Sequence, residues 1–135
     1  NTSHFRLEPG VPLVVAGVND NALGGHTGIV ANPNCSTAQL MPVLKALHEA
    51  AGLRRVIVST YQSVSGAGKE GIDELREETA SDLASTAERL GARSAYRDGG
   101  NGSVFKRPIA FNLIPQIDAF SDEDYTKEEL KLVYE

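Results

Sequence analysis

The chain carries one cysteine, Cys35, in 135 residues, so no disulfide can form within it, and that usage fits a reducing cytosol. It has no excess of positive charge. Thirteen Lys and Arg stand against 18 Asp and Glu, and the net −5 removes the electrostatic footprint expected of a nucleic-acid binder. No apolar run approaches the length of a membrane span, and no signal peptide is visible. The three histidines, His4, His26 and His48, are scattered. With one cysteine they compose no metal site, and none has a setting that marks it as the base of a Cys–His pair. Internal repeats and low-complexity linkers are missing too.

What is present is an ordinary globular composition, 41% hydrophobic and 23% charged, in a length that suffices for one modest domain with one core. The chain opens at Asn1 without an initiator Met and stops inside a helical pattern, residues 127–135, with no Gly or Asn stop signal. It therefore reads as the middle of a longer protein.

Asn32-Pro33-Asn34-Cys35 is the most informative stretch. A strand pattern over residues 27–31 leads into it, and an amphipathic helical pattern follows over residues 36–51, with Leu40, Val43, Leu44, Leu47 and Ala51 on one face. The thiol is thus expected at or just before a helix N-terminus. Unpaired backbone N–H groups and the positive end of the helix dipole favour a thiolate there, and a thiolate suits covalent acyl chemistry. A lone cysteine is commonly a small buried hydrophobe. Pro and Asn, however, make a tight exposed corner rather than a core position. Pro42 is expected to kink the helix or mark a fresh first turn, and Gly52 is a good stop.

Elsewhere, residues 11–18, 53–62 and 109–114 read as strands, and residues 19–26 as turn and Gly-rich loop. Residues 70–90 form a long charged helical pattern with Ile72, Leu75, Thr79, Leu83 and Leu90 inward and Gly91 as its end. Residues 93–106 read as an exposed loop, and Thr126 with Glu129 fits a capping box that opens the last helix. The expected architecture is α/β: a mixed sheet with helices packed on it.

Gly66-x-Gly68-x-x-Gly71 has the spacing of a dinucleotide fingerprint, but the second strand that should follow, with its acidic residue, is missing because residues around Glu88 still read as helix. Glu70 after Lys69 excludes an ATP-binding P-loop. A loop able to approach a phosphate or cofactor closely and a plain strand-to-helix connection both fit this spacing. Gln62 ends its strand, where side chains often enter a site; a surface hydrogen bond is the plainer alternative. Glu128 and Lys131 share a helix face and could hold the two ends of a zwitterion, or form a solvent-exposed ion pair worth at most about 1 kcal/mol.

Taken together, four blocks resemble the aspartate-β-semialdehyde dehydrogenase family across essentially the whole chain. Residues 32–37 (NPNCST) resemble its nucleophile motif and residues 61–68 (YQSVSGAG) its second catalytic segment. Residues 108–115 (PIAFNLIP) and 126–131 (TKEELK) resemble later blocks. Residues 1–6 (NTSHFR) look like the segment supplying a phosphate-binding arginine. The resemblance implies NADPH-dependent reduction of aspartyl-4-phosphate to aspartate 4-semialdehyde, on the way to lysine, through diaminopimelate, and to threonine and methionine. It makes Cys35 the nucleophile that forms a thioester and Gln62 the residue that orients substrate. Arg6, Asn34 and Lys131 would hold the phosphate, Glu128 the substrate amine, and Ser65 and Gly66 would touch NADP(H).

The same resemblance implies a catalytic domain of the semialdehyde dehydrogenase and glyceraldehyde-3-phosphate dehydrogenase type. Residues 1–31 would close a cofactor-binding domain, and residues 32–135 would belong to a catalytic and dimerisation domain. It also implies a cytoplasmic homodimer acting on a small molecule, with no metal, nucleic acid or membrane involved. The family's glycine-rich cofactor turn would precede Asn1, and its substrate arginine and general-base histidine would follow Glu135. The 135 residues alone are therefore expected to be inactive. Two alternatives stand beside this reading. N-acetyl-γ-glutamyl-phosphate reductase shares the chemistry, but its motif resembles Asn-Pro-Gly-Cys where this chain has Asn34. A non-catalytic scaffold or interaction domain would leave Cys35 as packing.

Overall fold

The computed structural model describes residues 3–89, 102–122 and 124–135. Its contacts divide the chain into two compact units, Asn1–Thr60 with Ile117–Glu135, and Tyr61–Gln116.

In the first unit the segment around Leu13 pairs with Ala31 in an isolated parallel bridge. The Val14 N–H donates to the Ala31 carbonyl at 2.8 Å, and the Ala31 N–H donates to the Pro12 carbonyl at 3.0 Å. Val15 and Ala31 are buried at this crossing. Asn19 closes the corner after it, accepting from the Val15 N–H at 2.7 Å and donating to the Leu13 carbonyl at 3.0 Å. A 3-10 turn, Asp20–Gly25, occupies the expected Gly-rich loop.

Helix α1 spans Cys35–Ala51. Asn34 caps its start by accepting from the Ser36 N–H at 2.9 Å. Gly52, at φ 69°, ends it in the left-handed region, where a side chain would be strained. Pro42 lies inside the continuous helix, where it deprives the Ala38 carbonyl of its donor without starting a new element. Lys45 ties the helix to the preceding segment by donating to the Gly17 and Val18 carbonyls at 3.2 and 3.0 Å. Helix α3, Lys127–Tyr134, packs against α1. The capping box at its start is complete: the Glu129 N–H donates to Thr126 Oγ1 at 3.2 Å, and the Thr126 N–H to Glu129 Oε2 at 2.7 Å.

In the second unit a 3-10 turn, Val64–Ala67, runs into α2, Gly68–Arg89. Two glutamates of α2 gather the backbone that follows. Glu74 accepts from the Val104 and Phe105 N–H groups at 2.7 and 3.0 Å, and Glu78 from those of Ile109 and Ala110 at 2.7 and 2.9 Å. Burial alone would raise the Glu74 carboxyl, but these N–H groups and the Ser103 hydroxyl outweigh it and hold it below its ordinary value. Gly71 is required by close approach, since a Cβ there would lie 2.8 Å from the Val64 carbonyl oxygen.

The strands expected at residues 11–18, 27–31, 53–62 and 109–114 do not form ladders; among the described residues there are only two isolated bridges, Leu13–Ala31 and Phe120–Thr126. The mixed sheet of the expected fold is therefore not seen here. The physical reason is that β-branched composition reports a local preference, whereas a strand also needs a neighbour to satisfy its backbone. Residues 53–62 and 109–114 accordingly leave Ile57 80% and Leu113 70% exposed. The same correction applies to the helices. Val43 and Leu47 of α1 are exposed, as are Ile72 and Leu83 of α2, so the apolar faces read from spacing are present without being covered. Leu90, Gly91 and most of the 93–106 loop lie outside the described residues.

Candidate active site

Cys35 is the first residue of α1 and is exposed, with its thiol free of any disulfide. The burial that would make it a packing residue is not observed. The residue before it organises the surroundings. Asn34 is 6% exposed and uses its whole polar complement. Its side-chain oxygen caps α1, while its amide nitrogen donates to both carboxylate oxygens of Glu128 at 3.0 and 3.1 Å. Its backbone N–H donates to Glu135 Oε2.

Two charged arms extend from Asn34. Along the first, Glu128, 7% exposed, accepts from Lys131 Nζ at 3.2 Å, and Lys131 also donates to Asp118 at 3.2 Å. Burial works against the Lys131 ammonium, but the hydrogen bonds it donates to Glu128 and Asp118 outweigh it and hold the group above its ordinary value. Asp118 sits at φ 68°, a left-handed conformation that Asp tolerates because its side chain bonds locally. That local bond, from the Ala119 N–H at 2.7 Å, is the main cause holding the Asp118 carboxyl below its ordinary value; Lys131 adds to it. Along the second arm, Arg6 Nη1 donates to Glu135 at 3.0 and 3.3 Å, and Arg6 Nε donates to the Asn32 carbonyl at 3.0 Å.

Arg6 and Asn34 from the first part of the chain and Glu128 and Lys131 from its last helix thus belong to one hydrogen-bonded network beside Cys35. The solvent-exposed alternative for Glu128 and Lys131 does not hold, because Glu128 is buried and its partner half-buried. Sequence reasoning missed Glu135 and Asp118. A signal for Glu135 existed: Glu128, Lys131 and Glu135 stand at i, i+3 and i+7, one face of a helix. Asp118 had none, since its side chain reaches Lys131 from an irregular segment.

Gln62, Ser65 and Gly66 belong to the second unit. Gln62 is half-buried. Ser63 caps the 3-10 turn by accepting from the Ser65 N–H at 3.3 Å, and the Gly66 N–H donates to the Ser63 carbonyl at 3.2 Å. A Cβ on Gly66 would meet nothing within 4 Å, so its backbone faces open space. Gly68 needs its φ of 81°, and helix α2 continues to Arg89 where a dinucleotide fold would begin its second strand. Among the described residues no group of three His, Cys, Asp or Glu could hold a metal ion, and no helix is long and apolar enough to cross a membrane.

A family model described as "Semialdehyde dehydrogenase, dimerisation domain" matches residues 44–135. Among curated proteins, the chain is 50% identical over its whole length to aspartate-semialdehyde dehydrogenase 2 of Vibrio cholerae. It is 51% identical to the aspartate-semialdehyde dehydrogenase of Campylobacter jejuni and 47% identical to that of Bacillus subtilis. The chain spans 37 to 38% of the length of these relatives. A crystal structure of aspartate semialdehyde dehydrogenase II from Vibrio cholerae matches 99% of the chain and 37% of its own at TM-score 0.82 and 48% identity. A structure of that enzyme complexed with ASA matches equally well.

Proposed function

The chain belongs to the semialdehyde dehydrogenase family, and from that premise we propose that it is part of an NADPH-dependent aspartate-β-semialdehyde dehydrogenase. The reaction is reduction of L-aspartyl-4-phosphate to L-aspartate 4-semialdehyde and phosphate, in the synthesis of lysine, threonine and methionine. The observation that carries this reading is Asn34–Cys35 at the mouth of α1, with Arg6, Glu128 and Lys131 tied to the same asparagine. Whole-chain identity of about half to enzymes of that name supports it. Asn34 favours it over an N-acetyl-γ-glutamyl-phosphate reductase, because Gly there would remove both the α1 cap and the partner of Glu128.

In this mechanism Cys35 Sγ attacks the acyl carbon of aspartyl phosphate, the C–O bond to phosphate breaks, and a thioester forms. Backbone N–H groups in the first turn of α1 stabilise the oxyanion. Arg6, Asn34 and Lys131 bind the departing phosphate, and Glu128 accepts from the substrate ammonium. Gln62 orients the acyl group. Ser65 and Gly66 would hold the edge of the nicotinamide cofactor NADP(H), and the open space beside Gly66 supports that reading. When bound, NADPH would supply a hydride to the thioester carbonyl, and departure of the Cys35 thiolate would then free the aldehyde.

Residues 1–31 are assigned to the end of the cofactor domain and residues 32–135 to the catalytic and dimerisation domain of a cytoplasmic homodimer. The family's dimerisation domain and the uncovered apolar side chains of α1 and α2 support the dimer. The test is Cys35→Ala in the full-length enzyme: phosphate-dependent NADP reduction with aspartate semialdehyde falls by several orders of magnitude. Turnover within tenfold of wild type would reject the nucleophile and with it the mechanism.

A further inference from the structure

We propose that Glu135 is a positioning residue, which fixes the Arg6 guanidinium against the nucleophile loop so that it meets an incoming phosphate in one orientation. The inference deepens the reading of this site as a phosphate-releasing one and rests on it. The Glu135 side chain is 4% exposed and that of Arg6 13%, so the pair lies largely out of water. Each carboxylate oxygen has work. Oε1 accepts from Arg6 Nη1 at 3.0 Å, and Oε2 accepts from Arg6 Nη1 and from the Asn34 N–H. Arg6 Nε is meanwhile held by the Asn32 carbonyl at 3.0 Å. The guanidinium plane is thus fixed from two sides, by the loop before Cys35 and by the end of α3. The bonds that hold Arg6 use Nε and Nη1, which leaves Nη2 for an anion.

Arginine carries a long, rotamer-rich stem, and its fork binds phosphate well only when the plane is already oriented. Glu135 provides that orientation and is itself anchored, since its backbone N–H donates to the Lys131 carbonyl at 3.0 Å at the end of α3. A carboxylate acting only as a substitute anion would have to leave this buried place whenever phosphate arrived. That would strip Arg6 of the partner that orients it. Glu135 therefore stays during phosphate binding, and Lys131 supplies the second cation.

The experiment uses the full-length enzyme and inorganic phosphate as the probe. Iodoacetamide labelling of Cys35, followed on its own peptide by mass spectrometry, is measured against phosphate concentration. It needs no turnover, so it reads the positioning claim separately from the catalytic one. KM for phosphate and for aspartate semialdehyde are measured in parallel. Glu135→Gln keeps the shape and one acceptor but removes the charge. It is expected to raise both the half-protecting phosphate concentration and the phosphate KM about tenfold, the loss of roughly one charge-assisted contact. KM for the semialdehyde and labelling without phosphate change less than either phosphate parameter. Glu135→Asp, which keeps the charge on a shorter stem, falls between wild type and Glu135→Gln, and carries the test if the glutamine variant does not fold. Tighter phosphate binding by Glu135→Gln would make Glu135 a competitor and overturn the proposal. So would equal loss in every parameter, which marks a purely structural role, or a wild type that phosphate does not protect. Loss of turnover in the wild type with protection intact would reject the dehydrogenase reading alone.

Discussion

Asn34 serves three partners with one short residue: the Ser36 N–H, the Glu128 carboxylate and, through its backbone, Glu135. Its amide accepts toward the helix through the oxygen and donates toward a carboxylate through the nitrogen at once. Asn34→Ala removes the cap and leaves the buried Glu128 with fewer donors, and the expected loss is about 1–2 kcal/mol of stability. Asn34→Asp separates the two duties. It keeps an N-cap oxygen but turns an acceptor against Glu128, so chemical denaturation should show Asn34→Asp at least as unstable as Asn34→Ala. An aspartate variant as stable as wild type would mean that the contact with Glu128 does not matter. Spacing put Glu135 on the face of Glu128 and Lys131, but its partner Arg6 lies 129 positions away, and no local pattern announces that pair.

At the scale of elements, helices were legible and strands were not. Helix α1 was readable from its periodicity and its Gly52 stop, and α3 from Thr126 and Glu129; these signals are local, and the stop and the capping box are both formed. Residues 53–62 are as β-branched as any strand, yet pairing depends on another segment and leaves no mark in their own sequence. The α3 capping box gives a pH prediction. The Thr126 N–H, then the Thr126 hydroxyl, hold the Glu129 carboxyl below its ordinary value. A depressed carboxyl contributes stability that is full above the unfolded value, about 4.3, and is lost as pH falls through the folded value. The melting temperature of Glu129→Gln should therefore lie below that of wild type at pH 7, with the gap closing below about pH 4. A gap independent of pH would show that the carboxylate charge plays no part.

For the whole molecule, the candidate site was read from several weak local signals that fell in family order, even though spacing alone favoured an ordinary ion pair for Glu128 and Lys131. The structure brings Arg6, Asn34, Glu128 and Lys131 into one network with no reference to that resemblance. The chain covers 37% of the matched dehydrogenase structure, so its chemistry is best tested in the full-length protein. The decisive measurement is acid-quenched peptide mass spectrometry of that enzyme after mixing with aspartate semialdehyde and NADP without phosphate. In the proposed reaction hydride leaves the substrate under these conditions, but no phosphate is present to release the acyl group. The account predicts an aspartyl thioester on the peptide containing Cys35, which disappears when phosphate is added. An unmodified Cys35 alongside NADPH formation, or an acyl group on another residue, would contradict it.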